Sequence, residues 1–366
     1  MNILLKHEYA GIRIMMGMQE NRMFKIHLFC FVALVVMTVF GPDARAGEII
    51  DMAGRSVTVP DEIRKVYCTS PPSTYLVVAM DPGLLAGLNF SLNPSERRLL
   101  DPRLQQLPVI GGWFGQGRTP NLETLMQVGP DIIVDSTWQE TAVGEKIEQV
   151  LKPLGIPVVH VSMDHLSDYP AVFQFLGQLL NRQERAGVLS RYAQESLDET
   201  SRVRAAIPEE NRITVYYAEG ADGLNTECHA SLHAELIHLS GGRNVHRCSN
   251  KRGYGMQKMS MEQLLYHNPQ VIVSHDASFL GRIAADLRWK NIRAVQNGRV
   301  YRIPKDPLNW FDRPPSFMRL LGVRWLTNKL YPSVYPLNIA AETRYFYKLF
   351  LNVSLDDAAV RELLQP

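Results

Sequence analysis

Six side chains able to ligate a metal or form a bridge, Cys228, His229, His233, His238, His246 and Cys248, fall within 21 residues. Borderline metals favour such donors. His233 and His238 lie five apart, off any one helical face, and their apolar neighbours Leu232, Leu236 and Ile237 make them surface histidines of a helix. His229 and His275 differ because each follows a predicted strand end; both are expected to ligate a metal directly or hydrogen-bond a chelating molecule. Arg313 offers a planar fork of donors to a carboxylate, catecholate or other oxyanion, with a salt bridge to Asp312 or Asp306 as the alternative. Trp113, Phe114, Trp138 and Trp310 are large apolar faces suited to a flat or aryl-rich small molecule, or else to core packing. No H-E-x-x-H, G-x-S-x-G or P-loop motif occurs in the sequence. The expected chemistry is therefore grip without turnover. The rival from another class is a secreted metal-dependent enzyme that uses the His and Cys cluster.

The elements that must position these residues can be read from periodicity. Short β-branched runs, Arg64–Thr69, Leu85–Asn89, Asp131–Val134 and Pro157–Val161, alternate with helical segments, and an edge hairpin precedes them near Ser56–Val59. That alternation implies βα units and mainly parallel sheets in an α/β fold. The same grammar restarts at Arg212–Tyr217 and continues through Val271–Ser274 and Arg299–Ile303. Residues 121–134 (NLETLMQVGPDIIV) align with 260–273 (SMEQLLYHNPQVIV), with Glu, Leu and Pro in register. In each copy a helix enters with a glutamate in its first turn and ends before a proline that launches a strand. Between the halves, 169–207 carries apolar residues at helical spacing, which predicts one helix of about 55 Å ending at Pro208. Residues 342–364 read as two short helices. The expected organisation is an N-terminal lobe at 47–168, a bridging helix at 169–207 and a C-terminal lobe at 208–366.

Strand-end loops of two facing parallel sheets form one cleft. That geometry selects Ser70, Trp113, Phe114 and Trp138 from the first half and Tyr217, Glu219, His229, Tyr254, His275, Trp310 and Arg313 from the second.

Composition bounds the rest. The 366 residues are 46% hydrophobic, with 39 Lys+Arg against 37 Asp+Glu, a globular profile with no basic run for nucleic acid. Residues 1–46 stand apart: a basic start, a nearly unbroken apolar run of 13 residues from Leu28 to Phe40, and Ala44-Arg45-Ala46. This pattern predicts a secretory signal peptide with Met23 as the start of translation, and the apolar run is shorter than the roughly 20 residues a spanning helix needs. No small-residue pair precedes a cysteine at the cleavage point, so a free exported protein without a lipid anchor is expected. Its removal leaves 34 residues of each sign and Cys68, Cys228 and Cys248. An oxidising compartment allows one bridge, and Cys228–Cys248 closes the shortest loop, although sequence does not fix connectivity.

From Gly47 onward the chain resembles the periplasmic binding proteins of iron-siderophore, haem and cobalamin ABC importers. The resemblance rests on 51–60 (DMAGRSVTVP), 107–111 (LPVIG), 154–157 (LGIP), 235–245 (ELIHLSGGRNV), 297–301 (NGRVY) and 309–316 (NWFDRPPS) in that order. It implies two Rossmann-like lobes joined by one long helix and no intrinsic cofactor. It also implies a monomer that carries a small metal chelate, a ferric siderophore first among them. Nickel or cobalt complexes, haem, cobalamin and molybdate are the alternative cargoes. The implied partners are a membrane permease and its ATPase, docked through an acidic residue on each lobe, for which Glu145 and Glu262 match by position.

Overall fold

The computed structural model describes residues 46–113, 119–136, 142–248 and 255–365. Phe114, Trp138 and Tyr254, and the predicted signal segment up to residue 45, lie outside the described residues.

A hairpin, β1 (Ala46–Ile50) and β2 (Ser56–Pro60), opens the described chain. Its turn is built on buried Asp51, which accepts from the amides of Ala53 and Arg55 and, through the other oxygen, from the Arg55 guanidinium. The same carboxylate accepts from the His160 amide at 3.0 Å and so fastens the hairpin to the first sheet. Burial alone raises the Asp51 pKa, but these donors outweigh it and hold the group below its ordinary value.

The first sheet contains β3 (Val66–Cys68), β4 (Ile132–Asp135) and β5 (Val158–His160), parallel and in that order. The expected strand at Leu85–Asn89 contributes only a parallel bridge of Leu85 to Val66 and another of Leu88 to Val109. Two short strands, β7 (Asn225–Thr226) and β9 (Gln257–Lys258), pair antiparallel outside the second sheet. That sheet runs β8 (Arg243–Asn244), β6 (Thr214–Tyr217), β10 (Val271–Ser274), β11 (Val300–Arg302), all parallel. The two sheets thus share one grammar.

The helices that matter for position are α1 (Pro71–Met80), α2 (Leu122–Val128), α3 (Ala142–Leu151), α4 (Tyr169–Leu179), α5 (Gln183–Ala206), α6 (Glu235–Leu239), α7 (Met261–His267), α8 (Arg319–Leu330), α9 (Ile339–Leu351) and α10 (Asp357–Leu363). The internal repeat is realised in register: α2–β4 and α7–β10 begin and end at equivalent positions. Their helices stop at a left-handed residue, Gly129 in one and Asn268 in the other.

The expected single helix over 169–207 is corrected to two, α4 and α5. Asn181 adopts φ 53°, the Arg182 amide returns to the Gly177 carbonyl at 2.8 Å and the Asn181 amide to Gln178 at 3.4 Å. That double return is a Schellman stop. A side chain at Gly177 would collide with the Ala186 Cβ, so its absence lets α4 and α5 pack side by side. The long helix is α5 alone, about 36 Å for its 24 residues.

One apolar core holds strands of both sheets together with α4, α5, α8 and α9. The two terminal helices occur as expected and pack back on the body: Phe350 of α9 packs on Phe173 of α4, and Glu362 of α10 pairs with Arg98 of the first lobe.

Candidate functional site

The carboxyl ends of both sheets carry polar clusters. After β3, Ser70 is buried, with its Oγ 2.8 Å from Ser136 Oγ and 3.2 Å from Ser73 Oγ. Thr69 donates to Asp135 Oδ1 at 2.5 Å, and His160 Nδ1 stands 3.6 Å from Asp135 Oδ2. Asn89 ties the neighbouring loops, donating to the carbonyls of Cys68 and Gly111 and accepting from Thr74. Thr69, Asn89, Asp135 and His160 were missed by sequence reasoning. The signal for Asp135 and His160 is their place at the last residues of β4 and β5.

The second lobe concentrates charge. Arg313, in the left-handed region at φ 53°, donates from Nε to Glu219 Oε1 at 3.0 Å and from a terminal nitrogen to Glu227, with Asp312 at 3.4 Å. The carboxylates are 0–2% exposed, whereas the Arg313 side chain keeps 32%. His233 Nδ1 lies 2.7 Å from Asp312 Oδ1. Buried Glu219 Oε2 and Asp312 Oδ2 have no hydrogen-bond partner among the described residues. Burial pushes Glu219 up to about 7; Glu227 and Asp312 add to the rise, and Arg313 opposes it. Burial favours the neutral form of Arg313, but the three carboxylates outweigh that and raise its pKa. The expected alternative for Arg313, an ion pair with Asp312, is therefore present alongside two glutamates.

Tyr217, at the end of β6, is fully buried; its hydroxyl lies 3.3 Å from His275 Nδ1 and its ring 4.8 Å from Phe311. His275 is partly buried and its pKa is lowered, chiefly by desolvation. So Tyr217, His275, Glu219 and Arg313 do come together at one sheet end.

Three expectations are corrected. Trp310 is 0% exposed and donates to Tyr347 in the core, where α8 presses against it at Gly322. Trp113 packs with Tyr67, Ile110 and Leu125 rather than offering an open face. His229 is exposed on another side of the lobe, beside the Cys228–Cys248 disulfide (Cα–Cα 5.7 Å) that the loop-length argument selected. Both sulfurs near His229 are spent in that bridge, so Cys228, His229 and Cys248 lie within 4.8 Å of one another without making a thiolate metal site. Glu145 and Glu262 are exposed, in the first turns of α3 and α7.

The arrangement presents donors and one restrained guanidinium at the strand ends. Residues 112–307 match the family model described as periplasmic binding protein. A solved ABC transporter solute binding protein from Sulfurospirillum deleyianum is 36% identical, at a TM-score of 0.81 over 87% of this chain and 99% of that one. An Fe(3+)-citrate-binding protein of Bacillus subtilis is 22% identical over 52% of this chain, which spans 59% of that relative's own length. The molybdate-bound periplasmic protein of Haemophilus influenzae shares the fold at 20% identity and a TM-score of 0.67, covering 85% of this chain and 99% of that one.

Proposed function

Since the chain belongs to the periplasmic binding protein family, we propose that it is the solute-capturing component of an ABC importer and that its cargo is an anionic iron(III) chelate. In this reading the cargo, a ferric siderophore or a ferric hydroxy-acid complex, sits between the strand-end clusters of the two lobes. Ser70 and Ser136 line one side; Arg313, Tyr217 and His275 line the other. The closed form then docks on the permease through acidic residues, Glu145 on one lobe and Glu262 on the other, after export directed by residues 1–46.

The observation that carries the reading is the Arg313 guanidinium. Glu219 and Glu227 fix its plane, and the Arg313 side chain keeps 32% exposure at the end of the sheet. A pre-oriented fork costs little entropy when a chelate carboxylate or catecholate arrives. The similarity to a ferric citrate binder points the same way. A small oxyanion such as molybdate fits the first lobe less well. Helix N-termini hold such anions by free amides, but Pro71 and Pro72 remove two donors from α1, and the Thr74 amide is spent on Ser70 O at 3.0 Å.

The test is a fluorescence titration of the purified protein with ferric citrate, a ferric catecholate, haem and molybdate, repeated on Arg313→Lys. Lysine keeps the charge against the glutamates but loses the fork. We expect saturable binding of an iron chelate and at least about a tenfold loss in the variant. Equal affinity in both proteins, or binding of molybdate alone, would reject the assignment.

A further inference from the structure

Several buried or half-buried arginines are matched to a carboxylate, as in Arg55–Asp51, Arg319–Glu235 and Arg324–Glu199. One face of the second lobe instead gathers half-buried Arg212 with exposed Arg243 and Arg247. Arg212, Arg243 and Arg247 line a single concavity of about 220 Å³ together with His229, His238 and Glu209. None of these three arginines has an ion-pair partner among the described residues, and Arg212 Nε is buried without a hydrogen bond. Three guanidiniums against one carboxylate leave two positive charges unbalanced before either histidine is counted.

The elements hold this imbalance in place. Arg212 precedes β6 and Arg243 opens β8, with Arg243 paired in register to Thr214. The concavity runs along β8 from Glu209 and Arg212 to Arg247, and neither Glu219 nor Arg313 lines it. Its other wall is cross-linked: the disulfide joins Cys228, next to His229, to Cys248, next to Arg247, and the His229 amide donates to His246 O at 2.9 Å. Like charges are thus gathered by a covalent bridge and a sheet edge, where free surface arginines would turn apart. Burial lowers the His238 pKa, and the fields of Arg204 and Arg212 lower it further against the opposing Glu235 and Glu209.

We propose that this concavity is a second site, separate from the cargo site, that binds phosphoryl oxyanions, either the free phosphate dianion or the monoanionic phosphodiester headgroups of a membrane surface. Guanidinium forks match phosphoryl oxygens pairwise, and a group with at least two negative charges, or several headgroups side by side, compensates the excess that one carboxylate leaves. The inference does not depend on which cargo the strand-end site takes.

The experiment is thermal melting of the purified protein against inorganic phosphate at constant ionic strength, with chloride as the balancing anion so that screening is held fixed. In parallel, the protein is sedimented with phosphatidylglycerol and with phosphatidylcholine vesicles. Arg243→Gln with Arg247→Gln is the comparison variant; both positions are exposed, so its fold is retained. We expect phosphate near a hundredfold over its Kd to raise the wild-type melting temperature by about 3 °C. The variant should need about tenfold more phosphate for the same shift, while its affinity for ferric citrate is unchanged. Sedimentation with the anionic vesicles alone, lost in the variant, assigns the site to headgroups; a response to free phosphate assigns it to the free ion. An equal phosphate response in both proteins, or no response to either source, overturns the proposal.

Discussion

At the scale of single residues, the decisive feature is one guanidinium shared by three buried carboxylates. Such crowding leaves charge that the structure accommodates by protonation. Glu219 moves from an ordinary 4.5 to about 7 because burial and its acidic neighbours disfavour the anion more than Arg313 favours it. Between those values the folded protein holds a proton that the unfolded chain has released, so stability falls as pH rises through that window. His275, whose pKa burial lowers, contributes a slope of the opposite sign. Urea unfolding at pH 5 and at pH 7.5 should therefore show the wild type losing on the order of 2–3 kcal/mol more than Glu219→Gln. Parallel losses in the two proteins would place the proton elsewhere. The residue types at this site were legible in the sequence, since Arg313, Tyr217, Glu219 and His275 all follow strands or lie in a distinctive block. Trp310 misled for a physical reason: a tryptophan next to an arginine in a loop has the same local signature whether its ring faces a ligand or Tyr347.

At the scale of elements, the stop at Asn181 divides what periodicity read as one rod. A helical pattern on both sides of a break looks continuous, because three residues nearly complete a turn and the apolar stripe resumes in phase. The marker that was present is the asparagine itself, which tolerates the left-handed conformation better than most residues. Replacing Asn181 with alanine separates the two pictures. If the Schellman stop is required, Asn181→Ala costs about 1 kcal/mol in chemical unfolding while Asn181→Gly stays within a few tenths. A continuous helix predicts the reverse order, since alanine is the better helix former. The internal repeat succeeded where the rod failed. Its glutamate, leucine and proline mark a helix start, a buried contact and a strand launch, three events that depend only on neighbours in sequence.

At the scale of the whole molecule, the lobes are not independent bodies. Arg324 of α8 pairs with Glu199 of α5 at 2.8 Å and approaches Glu342 of α9 at 3.4 Å, and Tyr192 and Tyr335 close the same network. Glu235 at the start of α6 accepts from Leu166 of the first lobe and from buried Arg319 of α8. These contacts and the shared core couple the two lobes, so under the proposed docking the spacing of Glu145 and Glu262 is part of what a permease would read. Reversing Glu145 and Glu262 to lysine together should therefore abolish uptake through the cognate permease while leaving cargo affinity within about twofold, measured by radiolabelled iron uptake and by titration. Uptake at the wild-type rate would remove those residues from the interface. The sequence by itself determined the α/β grammar, the repeat and its first-turn glutamates, and it favoured the disulfide without fixing it, because each follows from contacts between near neighbours or from loop closure. Only the tertiary structure decided that Trp113 and Trp310 are core, that Glu219, Glu227 and Asp312 converge on Arg313, that the last helices return to the first lobe, and that unpaired arginines gather beside the disulfide. Those outcomes depend on which surfaces are buried against each other across a hundred residues or more, and the pattern of any one segment carries no record of its distant partner.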